Sequence, residues 1–305
     1  MKNYLFRSNN INKSYNNHKI LNNLSLNIEE GDIYGFVGKN GAGKTSMLRI
    51  ILGLIYPDSG EIELLGNTDI EKINLSRAKI GSLIERPIFY GNMTARENLQ
   101  LIKIQKNLEN TIDLNKILKL VNLHNVKNKS KDFSLGMKQR LGIAMAILNN
   151  PELLILDEPI NGLDPIGIKE IRELLLNLNN KYGTTILISS HILSELTQLA
   201  TKYGFINQGH LIKEISSKEL HLECRNYLHL KVNSISNIGK IIEEQFNTPN
   251  YEIFPDNTVN IYDKIKIENL SLILSKYSIA IYELFQNEES LEDYFSRLIK
   301  GDNNE

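Results

Sequence analysis

The residues best suited to chemistry stand at Gly38-Lys39-Asn40-Gly41-Ala42-Gly43-Lys44-Thr45. Their spacing fits G-x-x-x-x-G-K-[ST], and the chemistry it serves is the holding of phosphate. Glycines let the backbone curl so that successive N–H groups point inward at phosphate oxygens. A helix starting near Lys44 adds the positive end of its dipole. Lys44 supplies a point charge for β and γ phosphates, and the Thr45 hydroxyl is a hard oxygen ligand for Mg²⁺. Ser46, next in the chain, is counted with this binding set. Four fixed positions of this kind recur by chance on the order of once per hundred chains of this length. The loop does not choose among small-molecule kinases, GTPases, helicases and transporters.

A second acidic site follows. Leu153-Leu154-Ile155-Leu156-Asp157-Glu158 reads as an apolar strand ending in two carboxylates. In a parallel sheet, ligands sit beyond the carboxyl ends of the strands. Asp157 is therefore expected near Mg²⁺, and Glu158 near the water in line with the γ phosphate, as a polarising base. Before Pro159 the same pair could be solvated acids. His191 follows the run Thr185–Ser189 and could lie at the same edge, although a lone histidine is more often an ordinary residue.

These residues require elements to position them. The short apolar segment Asp32–Val37 predicts a buried strand, and Lys44–Leu54 predicts a helix ending near Gly53 and Pro57. Leu153–Leu156 and Thr185–Ser189 are continuous apolar runs, which suits strands covered on both faces. Residues 94–148 have mostly helical spacing, as a lobe inserted into an α/β core would. Beyond about Glu214 the rhythm changes to a βαββαβ order. Tyr227–Val232 reads as a strand, Ile235–Phe246 as a helix, Tyr251–Ile261 as a hairpin around Pro255-Asp256-Asn257. Ile267–Tyr277 reads as a helix, Ile279–Phe285 as a strand, and a last helix spans Ser290–Ile299. The expected fold is α/β: a phosphate-loop nucleotide-binding core with an inserted helical lobe (about 86–150), followed by a small split-βαβ-like α+β domain. The boundaries are 1–214 and 220–305.

The bulk properties narrow the setting. The chain has 305 residues, 41% hydrophobic and 23% charged, with a net charge of −1, so no strong field draws it to nucleic acid or acidic lipid. The single cysteine, Cys224, excludes an internal disulfide, and no Cys/His cluster has zinc spacing. No apolar run approaches the roughly 18–20 residues that span a bilayer. Met1–Asn10 lacks the apolar core of a secretion signal. A cytoplasmic chain is expected, reaching a membrane only by docking on something that spans it.

Ser134-Leu135-Gly136-Met137-Lys138-Gln139-Arg140-Leu141 lies 23 residues before Asp157. With the loop, the Asp-Glu strand and His191 in this order, residues Leu5–Glu214 resemble the nucleotide-binding subunit of an ATP-binding cassette transporter. The resemblance implies ATP with Mg²⁺ as ligands, ATP hydrolysis as the activity, and a second copy and a multi-spanning permease as partners. It implies that Tyr15, in Lys13-Ser14-Tyr15-Asn16, stacks on adenine, which aromatic faces do well. It implies that Ser134, Leu135, Gly136 and Met137 cap the γ phosphate held by the opposite subunit. Asn161-Gly162-Leu163-Asp164 is similar to the loop that crosses the dimer interface, and His191 to the switch histidine that contacts the γ phosphate.

Two departures matter. The usual signature Leu-Ser-Gly-Gly-Gln is here Phe133-Ser134-Leu135-Gly136-Met137, which puts the ribose-side contact of the Gln in doubt. The loop between core and lobe usually carries Gln; Ile80-Gly81-Ser82-Leu83-Ile84-Glu85-Arg86-Pro87 puts Glu85 there, a further negative charge beside Mg²⁺. With Asn92-Met93-Thr94-Ala95-Arg96-Glu97-Asn98-Leu99 and the Ser-Leu-Gly-Met signature, this is similar to the bacitracin-type and lantibiotic-immunity exporter branch.

A soluble cassette acting on ribosomes or nucleic acid is the alternative. Such proteins usually carry two cassettes, coiled-coil insertions or zinc modules, and none is visible here. The Lys127, Lys129, Lys131 cluster suits a solvated face. In a small-molecule kinase, the signature and His191 would have no purpose. For the C-terminal segment, a regulatory ligand domain and a dimer-stabilising extension are both open. Its end, Glu289-Ser290-Leu291-Glu292-Asp293-Tyr294-Phe295, resembles the tail helix of single-cassette subunits.

Overall fold

A computed structural model describes residues 3–108, 112–224, 226–246 and 250–302. The chain divides into two compact units, Met1–Ser217 with Ile299–Glu305, and Lys218–Leu298. No helix among the described residues is long and apolar enough to cross a membrane.

The first unit opens with a hairpin of β1 (Tyr4–Tyr15) and β2 (His18–Glu29), then β3 (Ile33–Val37), α1 (Lys44–Ile51), β4 (Ser59–Leu64), α2 (Ile70–Ser76) and β5 (Ile80–Leu83). The helices α3 (Ala95–Gln105), α4 (Leu114–Leu120) and α5 (Leu135–Ala146) follow, all between two strands of one sheet. Then come β6 (Leu153–Asp157), α6 (Pro165–Tyr182), β7 (Thr185–Ser190), α7 (Leu193–Thr197), β8 (Lys202–Asn207) and β9 (His210–Ser216).

Six strands form the central sheet in the order β5-β6-β7-β3-β8-β9. Every pair is parallel except the last, β8 with β9. All residues of β3, β6 and β7 are buried, so the continuous apolar runs mark strands with no wet face. A separate antiparallel sheet has the order β2-β1-β4. Met47, Leu48, Ile50 and Ile51 of α1 share one buried cluster with Leu21, Leu24, Leu26 and Ile28 of β2 and with Phe36, Leu153, Ile155 and Leu187 of the central sheet. Each such side chain contributes about 1.5–3 kcal/mol relative to exposure. This core holds the start of α1 rigidly against the ends of β3 and β6. The helix stops at Ile51, earlier than the apolar spacing predicts, because Gly53 turns left-handed at φ 72°.

The inserted lobe is tied to its approach loop by polar side chains. Thr94 and Glu97 form a reciprocal capping box at the start of α3. The buried Asn98 amide donates to the carbonyls of Tyr90 and Thr94 and to Ser130 Oγ, while its oxygen accepts from Tyr90 N–H.

The second unit contains α8 (Ser217–Glu223), which begins at the boundary, β10 (Asn226–Val232), α9 (Ile238–Phe246), β11 (Tyr251–Ile253), β12 (Thr258–Ile261), α10 (Ile267–Lys276), β13 (Ile281–Glu288) and the greater part of α11 (Leu291–Asp302), whose last residues, from Ile299, are counted with the first unit. The strand order β11-β12-β10-β13, antiparallel throughout, is a split βαβ arrangement. Leu228, Leu230 and Val232 alternate inward and pack with Ile238 and Ile242 of α9 and Leu270 and Leu274 of α10.

Candidate functional site

The phosphate-loop sequence spans the turn between β3 and α1. A Cβ on Gly43, where φ is 110°, would stand 2.7 Å from a Leu21 methyl and 2.9 Å from the Ile20 carbonyl oxygen. The close approach of β2 thus demands glycine there, and φ is one that side chains refuse. The loop closes through Ala42 N–H donating to Lys39 C=O at 3.1 Å. Lys44 is buried; its Nζ donates to Gly38 C=O at 2.7 Å and Lys39 C=O at 3.3 Å. The β1–β2 hairpin turns at Asn16 and Asn17, both left-handed, a two-residue turn that suits Asn-Asn. This turn brings Tyr15 and Ile20 beside the loop.

The acidic pair stands at the carboxyl end of β6. Thr45 Oγ1 donates to Asp157 Oδ2 at 2.9 Å, and Ser189 Oγ donates to Asp157 Oδ1 at 2.5 Å. The same Ser189 hydroxyl accepts from Glu158 N–H at 3.0 Å. Glu158 is left-handed at φ 49°, an unusual state for a long side chain that the Ser189 contacts hold in place. Its carboxylate is bracketed: Oε1 lies 3.3 Å from Lys44 Nζ, and Oε2 lies 2.6 Å from His191 Nδ1. With the imidazole neutral, Nδ1–H donates to the carboxylate and Nε2 is left as an acceptor.

These groups surround a cleft of about 370 Å³ lined by Tyr15, Ile20, Asn40, Gly41, Gly43, Lys44, Thr45, Ser46, Glu158, Asn161 and His191. Gly38, Ala42 and Asp157 are buried behind that surface, and Lys39, exposed beside it, joins it through its carbonyl to Lys44. Sequence reasoning passed over Ser189, which orients both acids; the signal was a strand ending in two serines opposite the Asp-Glu strand. It also took Asn161 only as part of a dimer loop, although it lines the cleft.

Six expected residues, Glu85, Ser134, Leu135, Gly136, Met137 and Asp164, lie outside the cleft lining. Glu85 is not among the lining residues; its carboxylate forms an ion pair with Arg49 on α1, one turn beyond Thr45. Ser134, Leu135, Gly136 and Met137 open α5, with Ser134 Oγ accepting from Met137 N–H at 3.3 Å as its cap. They stand against the segment Asn161–Gly167: a Cβ on Gly162 would meet a Leu135 methyl at 3.4 Å, and one on Gly136 a Leu163 methyl at 3.8 Å. Asp164 caps α6 by accepting from Gly167 N–H at 3.0 Å. A wider groove of about 850 Å³ runs beside β1 and β4, with Arg7, Tyr56 and Glu63 in its wall, but it contains no residue of the loop or of the acidic site.

Comparison with known proteins places this geometry. A family model described as ABC transporter matches residues 21–161. The bacitracin transport ATP-binding protein BcrA of Enterococcus faecalis is 42% identical over 98% of this chain and 97% of its own. The lantibiotic transport ATP-binding protein SrtF of Streptococcus pyogenes is 46% identical over 67% of this chain and 88% of its own. Among solved structures, the ATP-binding cassette MJ0796, a dimer bound to ADP and Pi in a post-hydrolysis state, superposes with a TM-score of 0.61. That match is at 27% identity and covers 70% of this chain and 98% of that one. The chain belongs to the ATP-binding subunits of ABC transporters, and it is an ATPase of that family.

Proposed function

We propose that this ATPase drives a membrane exporter of peptide antibiotics of the bacitracin or lantibiotic kind, removing them from the membrane or conferring immunity to them. The ATP-hydrolysing part of this reading is carried by one observation from the site, the Glu158 carboxylate held between Lys44 and His191. Similarity to bacitracin transport proteins over nearly the whole chain supports the narrower substrate class. Residues 1–214 form the ATP-binding domain and 220–305 an accessory domain.

Tyr15 stacks on adenine, and Gly38–Ser46 wrap the phosphates with backbone N–H groups and Lys44. The Thr45 hydroxyl and the Asp157 carboxylate are a hard oxygen pair that fits Mg²⁺, which neutralises phosphate charge when bound. Glu158 accepts a proton from the attacking water at its carboxylate. His191 donates from Nδ1–H to that carboxylate and, when Nε2 also carries a proton, from Nε2–H to the γ phosphate. Ser134 and Gly136 of a second copy close the cleft, with Asp164 at the joint. The start of α5 offers backbone N–H groups to the same phosphate. ATP thus joins two copies, and phosphate loss releases them, a two-state change that a multi-spanning permease reads out. The subunit sits on the cytoplasmic face of the membrane through that permease.

Pull-down from membranes tests the class: a multi-spanning protein should co-purify. A deletion strain should lose resistance to bacitracin or to a lantibiotic. Unchanged resistance to both would reject the substrate class, and salt-sensitive RNA binding in place of a membrane partner would favour the soluble alternative.

A further inference from the structure

We infer that Arg49 is a positioning residue for Glu85, holding its carboxylate on the flank of α1 and releasing it only when the phosphate end of the cleft competes for it. The inference rests on the reading of Glu85 as a metal-side group given above.

Three observations carry it. Glu85 and Arg49 form an ion pair between the segment leaving β5 for the helical lobe and the helix that presents Thr45. Arg49 is four residues after Thr45, hence one turn along the same face of α1. Glu85 adopts φ 61°, a left-handed state rare for a long side chain, so its direction is set by its surroundings.

The chemistry is an exchange of partners. The guanidinium that holds Glu85 belongs to the helix whose first turn carries Thr45, the hydrogen-bond partner of Asp157, so the carboxylate is tied to the same element as the Thr45–Asp157 oxygen pair. Mg²⁺ held by Thr45 and Asp157 would be a dication competing for Glu85 with the fork of donors that Arg49 offers. Glu85 belongs to the chain that enters the lobe, so the exchange converts occupancy of the cleft into a pull on the lobe. Gln at this position would form no ion pair with Arg49. The pair is exposed, with side chains 39% and 61% accessible. Its coupling is therefore modest, about 0.2–1 kcal/mol for exposed pairs, or about 1.4- to 5-fold in an equilibrium constant.

The test is a double-mutant cycle read by binding. Mg²⁺ is titrated into the full chain with a non-hydrolysable ATP analogue, and the ratio of analogue affinities with and without Mg²⁺ is measured. Glu85→Gln is expected to lower the ratio. Arg49→Met, by freeing Glu85, is expected to raise it about 1.4- to 5-fold, and Arg49→Lys by less. In the Glu85→Gln background, Arg49→Met should leave the ratio unchanged. An equal rise in both backgrounds would show only the field of a removed cation and overturn the inference, as would no rise in either. Should Glu85→Gln itself leave the ratio unaltered, the metal-side reading of Glu85 fails first. A fall in the ratio for Glu85→Gln with no effect of Arg49→Met sinks the positioning role alone.

Discussion

The cleft and the start of α5 are built in opposite ways. In the cleft, the polar side chains pair within the same chain: Thr45 with Asp157, Lys44 and His191 with Glu158, and Ser189 with the Asp157 carboxylate and the Glu158 N–H. At the start of α5, Ser134 Oγ caps its own helix and Leu135 is 46% exposed. Neither Ser134 nor Gly136 lines the cleft. The two regions lie on one unit yet share no wall. Under the proposed function, one chain carries a self-consistent half that holds a triphosphate and a presented half that meets another copy's triphosphate, and nucleotide is what joins them.

Substitutions can break this contrast from either side. The largest effect is expected at Glu158. Glu158→Gln should lower hydrolysis by about 10²–10⁴-fold while ATP still binds, since a positioned general base contributes on that scale. Parental turnover in that variant, measured by phosphate release, would reject Glu158 as the base. Next comes Tyr15→Ala. Loss of one stacked base should weaken ATP binding by about 1–3 kcal/mol with turnover at saturation nearly kept, which a nucleotide titration separates from a rate effect.

Ser189→Ala probes what holds the cleft together. It removes a donor from Asp157 and an acceptor from Glu158 N–H, both at buried or half-buried positions. A stability loss of about 1–3 kcal/mol is expected, with slower hydrolysis. A thermal melt that matches the parent would mean that the acids are oriented by something else. Smallest is Glu85→Gln, which should change nucleotide affinity by no more than the few-fold Mg²⁺-dependent effect given above, yet change how the permease stimulates hydrolysis. Unchanged stimulation and unchanged resistance would remove Glu85 from the coupling path.

The contrast also explains what could be read in advance. β3, β6 and β7 were legible because strands buried on both faces need continuous apolar runs, as in Leu153–Leu156. The split βαβ order of the second unit was legible from alternation, as in Leu228, Leu230 and Val232 facing α9 and α10. Lys44 and Thr45 were legible because glycine spacing and side-chain type together carry the chemistry. Ser189 was not, because its role depends on β7 lying next to β6, a neighbour relation with no local signature. Nor was the pairing of Glu85 with Arg49, set by where the β5 exit passes α1 rather than by anything within either segment. The early stop of α1 at Ile51 follows from the left-handed Gly53, which apolar spacing does not report.

The proposal that each working site draws its cleft and its signature from different chains can be tested by mixing two inactive variants. Glu158→Gln keeps the signature but disables its own cleft; Ser134→Arg keeps the cleft but blocks the phosphate of its partner. Combined, they should hydrolyse ATP well above the sum of the separate variants, because a mixed pair contains one intact site. A mixture no more active than its two components, with each variant shown to bind ATP, would contradict the account.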